Sequence, residues 1–313
     1  LNPFQCPLST ITSGPGMTVT RTAQATKRPV VYRLTPSVMH YAWGKSQQTS
    51  LAARHSGLFP RETPDNAKPV SELWLGTHPN GPASVSPLFP SEHTDPAPLS
   101  SLHSTPFPFL SKILSIASPL SLQVHPAASL AQRLHATDPA HYPDAGAKAE
   151  MSVVLEDGFE SLCGYRSEAE VIETIYGGAS VAGSTLRAAL KGTERDIKSL
   201  FEAYLSPEVQ ASLVSSLSDR GTDCLAGSDS AVDRLVHRLH RAYPGDAGVY
   251  APIFLQHHTC QAGEVLPIPP GVPHAHLVGE AAEIMVSSDN VIRAGLTPKY
   301  IDRQALVEAV VYG

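Results

Sequence analysis

Two polar residues, two positions apart, close an apolar stretch of the chain. The composition of residues 112–125 predicts one or two buried strands that end at Gln123 and His125. Because side chains two apart on a strand point to the same face, Gln123 and His125 can aim an amide oxygen and an imidazole nitrogen at one point. That is half of a four-ligand metal site. A strand with two polar residues on its wet side is the alternative.

Two later segments offer further metal ligands. Glu150 lies near the start of a strand predicted over residues 148–155. The spacing G-x5-P-x-G-x2-H, from Gly263 to His274, is typical of the second half-motif of cupins, small jelly-roll barrels that hold a metal. Gln123, His125, Glu150 and His274 would provide nitrogen and oxygen donors without thiolate. This set suits zinc, although manganese, iron and cobalt remain open.

Composition limits the class of protein and its partners. The 313 residues are 42% hydrophobic and 17% charged, as in a globular chain of one large or two modest domains. A net charge of −6 without a block of Lys and Arg argues against nucleic acid and membrane as partners. The four scattered cysteines, Cys6, Cys163, Cys224 and Cys260, fit a reducing compartment. We therefore expect a cytoplasmic protein, and we expect a monomer.

The hydrophobic periodicity divides the chain into five segments. Residues 1–30 are polar and are expected to be disordered or an extension. Residues 31–166 and 247–300 show strand patterns, whereas residues 167–246 show apolar residues three and four apart, which is typical of helices. Residues 301–313 should contain a C-terminal helix capped by Asp302. The predicted fold is mainly β with an α insertion: a cupin-like jelly-roll barrel, with metal ligands on both sides of the insertion, plus a helical domain.

Nine ordered stretches identify a family resemblance that covers roughly residues 31–310. They are Tyr41-Ala42-Trp43-Gly44-Lys45, Glu72-Leu73-Trp74 through Gly81-Pro82, Leu110-Ser111-Lys112-Ile113-Leu114, Ser121-Leu122-Gln123-Val124-His125-Pro126, Lys148-Ala149-Glu150-Met151, Leu162-Cys163-Gly164, Tyr243-Pro244-Gly245-Asp246, Pro273-His274-Ala275 and residues 288–299. In these stretches the sequence resembles the type I mannose-6-phosphate isomerases, also called phosphomannose isomerases.

The resemblance implies a reaction and a set of site residues. It makes Gln123, His125, Glu150 and His274 the ligands of one Zn²⁺ per chain, and Arg293 the catalytic arginine. The substrate pocket would be lined by Lys112, Ser121, Lys148, Glu283, Asp289 and Lys299. The implied reaction interconverts mannose 6-phosphate and fructose 6-phosphate by proton transfer through an enediol, which feeds GDP-mannose synthesis.

The residue types suit that chemistry. Zinc and Arg293 could stabilise the enediolate oxygens, and Lys112, Lys299 and Ser121 could bind the phosphate. Three residues remain candidates for proton transfer: Lys148, Glu283 and His276.

The sequence departs from the family pattern in three places. His276 replaces an aromatic Tyr of the family and would point the same way as His274, where it could contact substrate. Ala149 replaces the usual Pro before the glutamate ligand. Family members usually continue into another β domain after the segment matching residues 299–311, so we expect a form without that domain, with some surface left exposed.

Two other functions remain open. The spacing His274-x-His276-x3-Glu280 copies the other cupin half-motif, H-x-H-x3-E, and would suit a metal oxygenase. A catalytically inactive paralogue that only binds sugar phosphates is the third possibility. Trp43 and Trp74 are predicted to be core residues rather than platforms for a sugar ring.

Overall fold

The computed structural model describes residues 31–56, 68–87, 95–102, 105–190, 192, 196–220 and 223–312. The predicted extension, residues 1–30, lies outside the described residues. The described strands are β1 Tyr32–Thr35, β2 Ser37–Met39, β3 Glu72–Leu75, β4 Ser84–Pro87, β5 Ala97–Pro98, β6 Phe109–Ile116, β7 Leu122–Val124, β8 Glu150–Val154, β9 Phe159–Tyr165, β10 Leu255–Cys260, β11 Val265–Ile268, β12 His274–Val286 and β13 Ile292–Gly295.

Strand β12 joins the two sides of the barrel. Its first half pairs with β7 and β9, and its second half, from Gly279 onward, pairs with β6 and β8. The order β10-β9-β12-β6-β3-β2 forms the main path of a ten-stranded sheet, to which β7 with β13 and β8 with β11 are added. Strands β1, β4 and β5 form a separate small sheet. A single strand of 13 residues therefore belongs to both sides of the barrel, which makes the barrel wall continuous.

Six of the nine described helices lie between β9 and β10 in the chain. The described helices are α1 Leu51–Ser56, α2 Ala128–Thr137, α3 Glu168–Tyr176, α4 Val181–Ala189, α5 Ile197–Leu205, α6 Pro207–Arg220, α7 Asp223–Ala226, α8 Ala231–Ala242 and α9 Arg303–Ala309, and 3-10 turns span Leu99–Leu102 and Ala247–Ile253. Helices α3 to α8 fall within the predicted insertion. Their apolar faces share one core with Leu122, Leu162 and Leu277 of the barrel strands.

Polar contacts join the helical insertion to the barrel and also join helices within the insertion. Arg238 of α8 binds the carboxylate of Glu160 on β9 through both terminal nitrogens, at 3.0 and 2.6 Å. Within the insertion, the buried Asp233 carboxylate accepts hydrogen bonds from the backbone N–H groups of Val181 and Ala182 at the start of α4. Such bonds satisfy donors that the first turn of a helix leaves free.

The C-terminal helix closes the described chain. As predicted, Asp302 caps α9, with its carboxylate accepting from the N–H of Ala305 at 2.9 Å. Leu306 and Val310 pack into the main core, whereas Val307 and Val311 remain exposed. No helix in the described ranges is long and apolar enough to cross a membrane. The predicted class, mainly β with a helical insertion, is confirmed.

Candidate active site and metal centre

Three of the predicted ligands meet at one buried point. The Glu150 Oε2 atom lies 3.1 Å from His125 Nε2 and 3.5 Å from His274 Nε2. One donor atom from each of these residues lies within 4.8 Å of the other two. The Gln123 amide nitrogen lies 3.2 Å from His274 Nε2, so the fourth predicted ligand adjoins the cluster. Residues on both sides of the insertion thus come together.

Neighbouring strands bring these side chains together. Gln123 on β7 is paired with His274 on β12 and with Arg293 on β13. His125 follows β7 directly, and Glu150 is the first residue of β8. The motif glycines Gly263 and Gly271 have φ values of +90° and +88°, which suit the tight turns predicted before β12.

The hydrogen bonds of the two imidazoles turn the same nitrogen toward Glu150. Their Nδ1 atoms lie 3.0 Å from backbone carbonyls, that of Asn290 for His125 and that of Val272 for His274. Because a carbonyl only accepts, each Nδ1 carries the proton and each Nε2 keeps its lone pair. His125 Nε2 is buried and has no hydrogen-bond partner of suitable geometry. A buried lone pair without a donor is what a metal ligand requires.

The protonation states also suit a divalent cation. Burial lowers the pKa of His125 to about 4, so this imidazole is neutral at pH 7. Burial disfavours ionisation of Glu150, but the neighbouring His125 and Lys148 hold its pKa well below the usual value. Two neutral imidazoles, one carboxylate and the Gln123 amide form a donor set that fits zinc.

A cavity of about 280 Å³ opens beside this centre. Its lining includes Tyr41, Ser121, Gln123, Arg293, Thr297 and Lys299. Gln123 therefore both adjoins the His125–Glu150–His274 cluster and lines the cavity. Trp43, predicted as a core residue, is half-buried, lines the cavity and stacks on Tyr41 with ring centroids 5.7 Å apart. The prediction for Trp74 agrees better with the structure, since this side chain is buried.

Lys112 is engaged with carboxylates. Its ammonium lies 3.3 Å from Glu283 and 3.9 Å from Glu72, and 5.1 Å from the centre of the Trp74 ring. Burial alone would lower the pKa of Lys112, but the carboxylates of Glu72 and Glu283 raise it above its usual value. Its charge is thus balanced inside the barrel, and a phosphate would have to compete with two glutamates for it.

The other candidates for proton transfer and substrate binding occupy distinct positions. Lys148 is buried, with its ammonium 2.9 Å from Glu150 Oε1. Both ring nitrogens of His276 face serine hydroxyls, Ser152 at 3.2 Å and Ser161 at 3.0 Å, deep in the barrel. Burial and the nearby His274 lower the pKa of His276 to about 3.

Asp289 lies in a contact between two loops. Its carboxylate accepts a hydrogen bond from the Asn80 side chain at 2.8 Å and lies 3.3 Å from His78 Nε2. Among the described residues, the cavity lining includes neither Asp289 nor Lys112.

The geometry does not support the oxygenase alternative. Glu280, the last residue of the proposed H-x-H-x3-E motif, lies 2.9 Å from the Lys45 ammonium and accepts from the Ser115 hydroxyl at 2.6 Å. It also accepts from the N–H of Leu51, the first residue of α1. The spacing was misleading because β12 is irregular after His276, so Glu280 points out of the barrel while His274 points in.

Two residues with clear contacts to the site were missed from the sequence. Glu72 lines the cavity and adjoins Lys112. Asp144 accepts hydrogen bonds from the segment that carries Asp289 and Asn290. Neither belongs to a ligand-spacing pattern, and only the folded chain brings either one to the site.

Comparison with known proteins agrees with this geometry. The family model for the phosphomannose isomerase type I catalytic domain matches residues 31–168. A probable mannose-6-phosphate isomerase of Caenorhabditis elegans is 35% identical over 303 residues, which are 90% of this chain and 71% of the relative. The human mannose-6-phosphate isomerase is 35% identical over 312 residues, which are 91% of this chain and 74% of the relative.

Solved structures show the same fold. A single-residue variant of phosphomannose isomerase from Salmonella typhimurium has a TM-score of 0.70 and 27% identity, and the match covers 90% of this chain and 74% of that one. A zinc-bound mannose 6-phosphate isomerase has a TM-score of 0.69 and 26% identity, with the same coverage.

A barrel with a buried His–Glu–His cluster beside a polar cavity defines the class as a cupin-like metal-site protein, as predicted. The identities and coverage go further: the chain belongs to the type I phosphomannose isomerase family.

Proposed function

We propose that the chain is a zinc-dependent mannose-6-phosphate isomerase, which interconverts D-mannose 6-phosphate and D-fructose 6-phosphate through an enediol. The observation that carries this proposal is the cluster of His125, Glu150 and His274, with Gln123 linking it to a cavity that Arg293 also lines. The similar proteins that bear this activity in their names support it, as does the zinc in similar solved structures.

The substrate lies in the cavity with its phosphate toward Lys299 and Ser121. Lys299 is exposed and Ser121 is half-buried, so a cation and a hydroxyl donor can both reach an incoming phosphate. We assign Lys112 a different task from the one expected. With Glu283 at 3.3 Å, its ammonium positions that carboxylate and balances its charge.

Gln123, His125, Glu150 and His274 hold the zinc. When bound, zinc supplies a Lewis acid that polarises and orients the substrate oxygens. Arg293 is paired with Gln123 across two strands and places a second positive charge at the same wall of the cavity. Its guanidinium stabilises negative charge on the enediolate, the electrostatic effect that contributes most in many enzymes.

Glu283 transfers the proton between C2 and C1. Burial, together with the negative charge of Glu150, raises the pKa of Glu283 above its usual value. A carboxyl with a raised pKa exchanges its proton more readily near neutral pH, which both accepting and returning a proton require. Lys148 restrains Glu150 through its 2.9 Å contact, and His276 supports the barrel through its two serines.

A coupled assay tests the function directly. Purified chain should convert mannose 6-phosphate to fructose 6-phosphate, lose that activity with chelator and regain it with added zinc. Gln123→Ala and His274→Ala should lose zinc and activity together, whereas Arg293→Ala should keep zinc and lose most of its turnover. Arg241→Ala, on the exposed face of α8, is the matched control. Binding of the sugar phosphate without turnover by zinc-loaded wild-type chain would instead favour the inactive paralogue.

We also propose that the chain acts as a cytoplasmic monomer that feeds GDP-mannose synthesis. The thiols of Cys163 and Cys260 are free, as a reducing compartment would leave them. Sedimentation of the purified chain tests the monomer, and a mass that rises with concentration would contradict it.

A further inference from the structure

Asp144 is half-buried and lies at the centre of a hydrogen-bond network next to the predicted metal centre. Its Oδ1 atom accepts from the Gly146 N–H and from the Ser288 hydroxyl, both at 2.8 Å, and from the Asn290 side-chain amide at 3.2 Å. Its Oδ2 atom accepts from the backbone N–H of Asp289 at 2.9 Å. One carboxylate therefore joins the loop before Glu150 to the segment before Arg293.

Asn290 completes this connection and is itself fully buried. Besides Asp144 Oδ1, its amide nitrogen donates to the backbone carbonyls of Asp144 at 2.7 Å and Gly146 at 2.9 Å. All three partners are acceptors, so the orientation of the amide is determined by its surroundings. The side chain thus fixes the backbone of residue 290 against the loop of residues 144–146.

The backbone carbonyl of Asn290 is the group that lies 3.0 Å from His125 Nδ1. This contact sets both the tautomer of His125 and the direction of its ring, because it leaves Nε2 unprotonated toward Glu150. Partners of this kind, one step removed from a metal, typically affect its affinity 10- to 100-fold.

We propose that Asp144 is a positioning residue for the zinc site. Through Ser288, Asp289 and Asn290 it places the carbonyl that orients His125, and through Gly146 it places the loop that leads to Lys148 and Glu150. The inference rests on the proposed function only in taking the cluster to be a zinc site, and it does not require isomerase activity.

The network needs two acceptor oxygens at position 144, which a carboxylate has and an amide of the same shape does not. Four N–H or O–H donors converge on Asp144, and in Asp144→Asn one oxygen becomes an NH₂ group that faces at least one of them. Asp144→Asn therefore removes acceptor capacity at constant volume, which makes it a sharper test than truncation. Asp157 is a matched control, because its carboxylate accepts a single N–H, from Ala262 at 2.9 Å, in an exposed turn.

The test is the zinc affinity of the full chain, measured by competition with a chromophoric chelator and without substrate. Asp144→Asn should weaken zinc binding about 10- to 100-fold, and Asn290→Ala should do the same. The fold-loss of the double variant should be smaller than the product of the two single losses, because both residues act within one hydrogen-bond network. Asp157→Asn should bind zinc like wild type. The absorption spectrum of the cobalt(II)-loaded protein should change in Asp144→Asn, since it reports the arrangement of the ligands.

Several outcomes would contradict the positioning role of Asp144 while leaving the proposed isomerase function intact. Wild-type zinc affinity and an unchanged cobalt spectrum in Asp144→Asn would do so, even with a lowered melting temperature, because the residue would then be structural only. The role of Asp144 would also be contradicted if the fold-losses in zinc affinity of the two single variants multiplied in the double variant. If Asp144→Asn fails to fold, Ser288→Ala removes one donor of the network and should still weaken zinc binding several-fold. If wild-type chain itself binds no zinc, the proposed function fails instead.

Discussion

The backbone at Gly248 packs closely against Gly295. A larger residue at position 248 would therefore move one wall of the cavity without altering a site residue. A Cβ at position 248 would lie 2.7 Å from the Leu296 nitrogen and 2.8 Å from the Gly295 Cα. Because ordinary contacts begin near 3.4 Å, the Gly248→Ala methyl must displace this backbone by about 0.7 Å. The displaced segment directly precedes Thr297 and follows Arg293, both of which line the cavity.

The displacement predicts a loss of catalysis with zinc retained. A 1 Å misplacement of catalytic groups can cost about 100-fold in rate, so a shift of about 0.7 Å should lower kcat/KM by roughly 10- to 100-fold. Overpacking of this kind also costs about 1–3 kcal/mol of stability. Zinc content should stay at one per chain, because His125, Glu150 and His274 lie on other segments.

Kinetics, metal content and thermal unfolding of Gly248→Ala together check this reasoning. Gly227→Ala is the matched control, since a Cβ at that position meets nothing within 4 Å. Wild-type kcat/KM in Gly248→Ala would refute the claim that this crossing sets the cavity wall. Loss of zinc would show that the strain spreads through β13 to Gln123, and would contradict a displacement confined to the backbone of residues 295 and 296.

Three further predictions concern metal, charge and pH. With free zinc at 100 times its Kd, removing the zinc should cost about 2.7 kcal/mol and lower Tm by roughly 4 °C, and an unchanged Tm would count against a resident ion. Lys45→Met leaves the buried Glu280 without its cation and should cost about 3 kcal/mol in urea unfolding, with a loss under about 0.5 kcal/mol contradicting this. Glu160→Gln should destabilise by about 1 kcal/mol at pH 7. Burial opposes the ionisation of Glu160, but Arg238 and His257 lower its pKa, so its stabilisation is present above the unfolded pKa and disappears as pH falls through the folded one. The Tm difference between Glu160→Gln and wild type should therefore vanish in acid. A difference that stays constant with pH would show that the ion pairs of Glu160 with Arg238 and His257 are not its cause.

The helical insertion could be predicted from spacing, with one instructive exception. Val171 and Ile175 follow the helical period, but Leu200 and Leu205 are five apart and fit it poorly. In α5 the buried residues are Leu200, Phe201, Tyr204 and Leu205, so the helix presents a broad apolar face rather than a narrow stripe. The period was correct, and the two leucines mark the opposite edges of that face.

The residues that meet in the His125–Glu150–His274 cluster could be predicted in identity but not in mutual orientation. Strand parity placed Gln123 beside His125, and the half-motif supplied His274. Which ring nitrogen faces Glu150 depends on the carbonyls of Asn290 and Val272. A backbone carbonyl can come from any residue type, so no side-chain pattern in the sequence marks such partners. The ion pairs of Lys112 could not be predicted for a related reason, since Glu72 comes close only when β3 pairs with β6.

Two glutamates on β12, Glu280 and Glu283, show how a β-bulge decides which carboxylate points into the barrel. Upstream of the irregularity, His274 and His276 point inward; downstream, Ala281 packs in the barrel core, and Glu283 follows the same alternation to reach Lys112. On an uninterrupted strand, Glu280 would share a face with His274, because they are six positions apart, and Glu283 would lie on the opposite face. The β-bulge between His276 and Val278 reverses this order.

Position 279, just after this bulge, requires glycine for two reasons. The φ angle of Gly279 is +121°, and a Cβ there would come within 2.8 Å of the Phe159 backbone. The bulge gives β12 two inward sections of opposite parity, one carrying His274 and the other Glu283, while Glu280 binds Lys45 and the start of α1. Ligand spacing alone selects Glu280, so a motif on a bent strand is reliable only on one side of the bend.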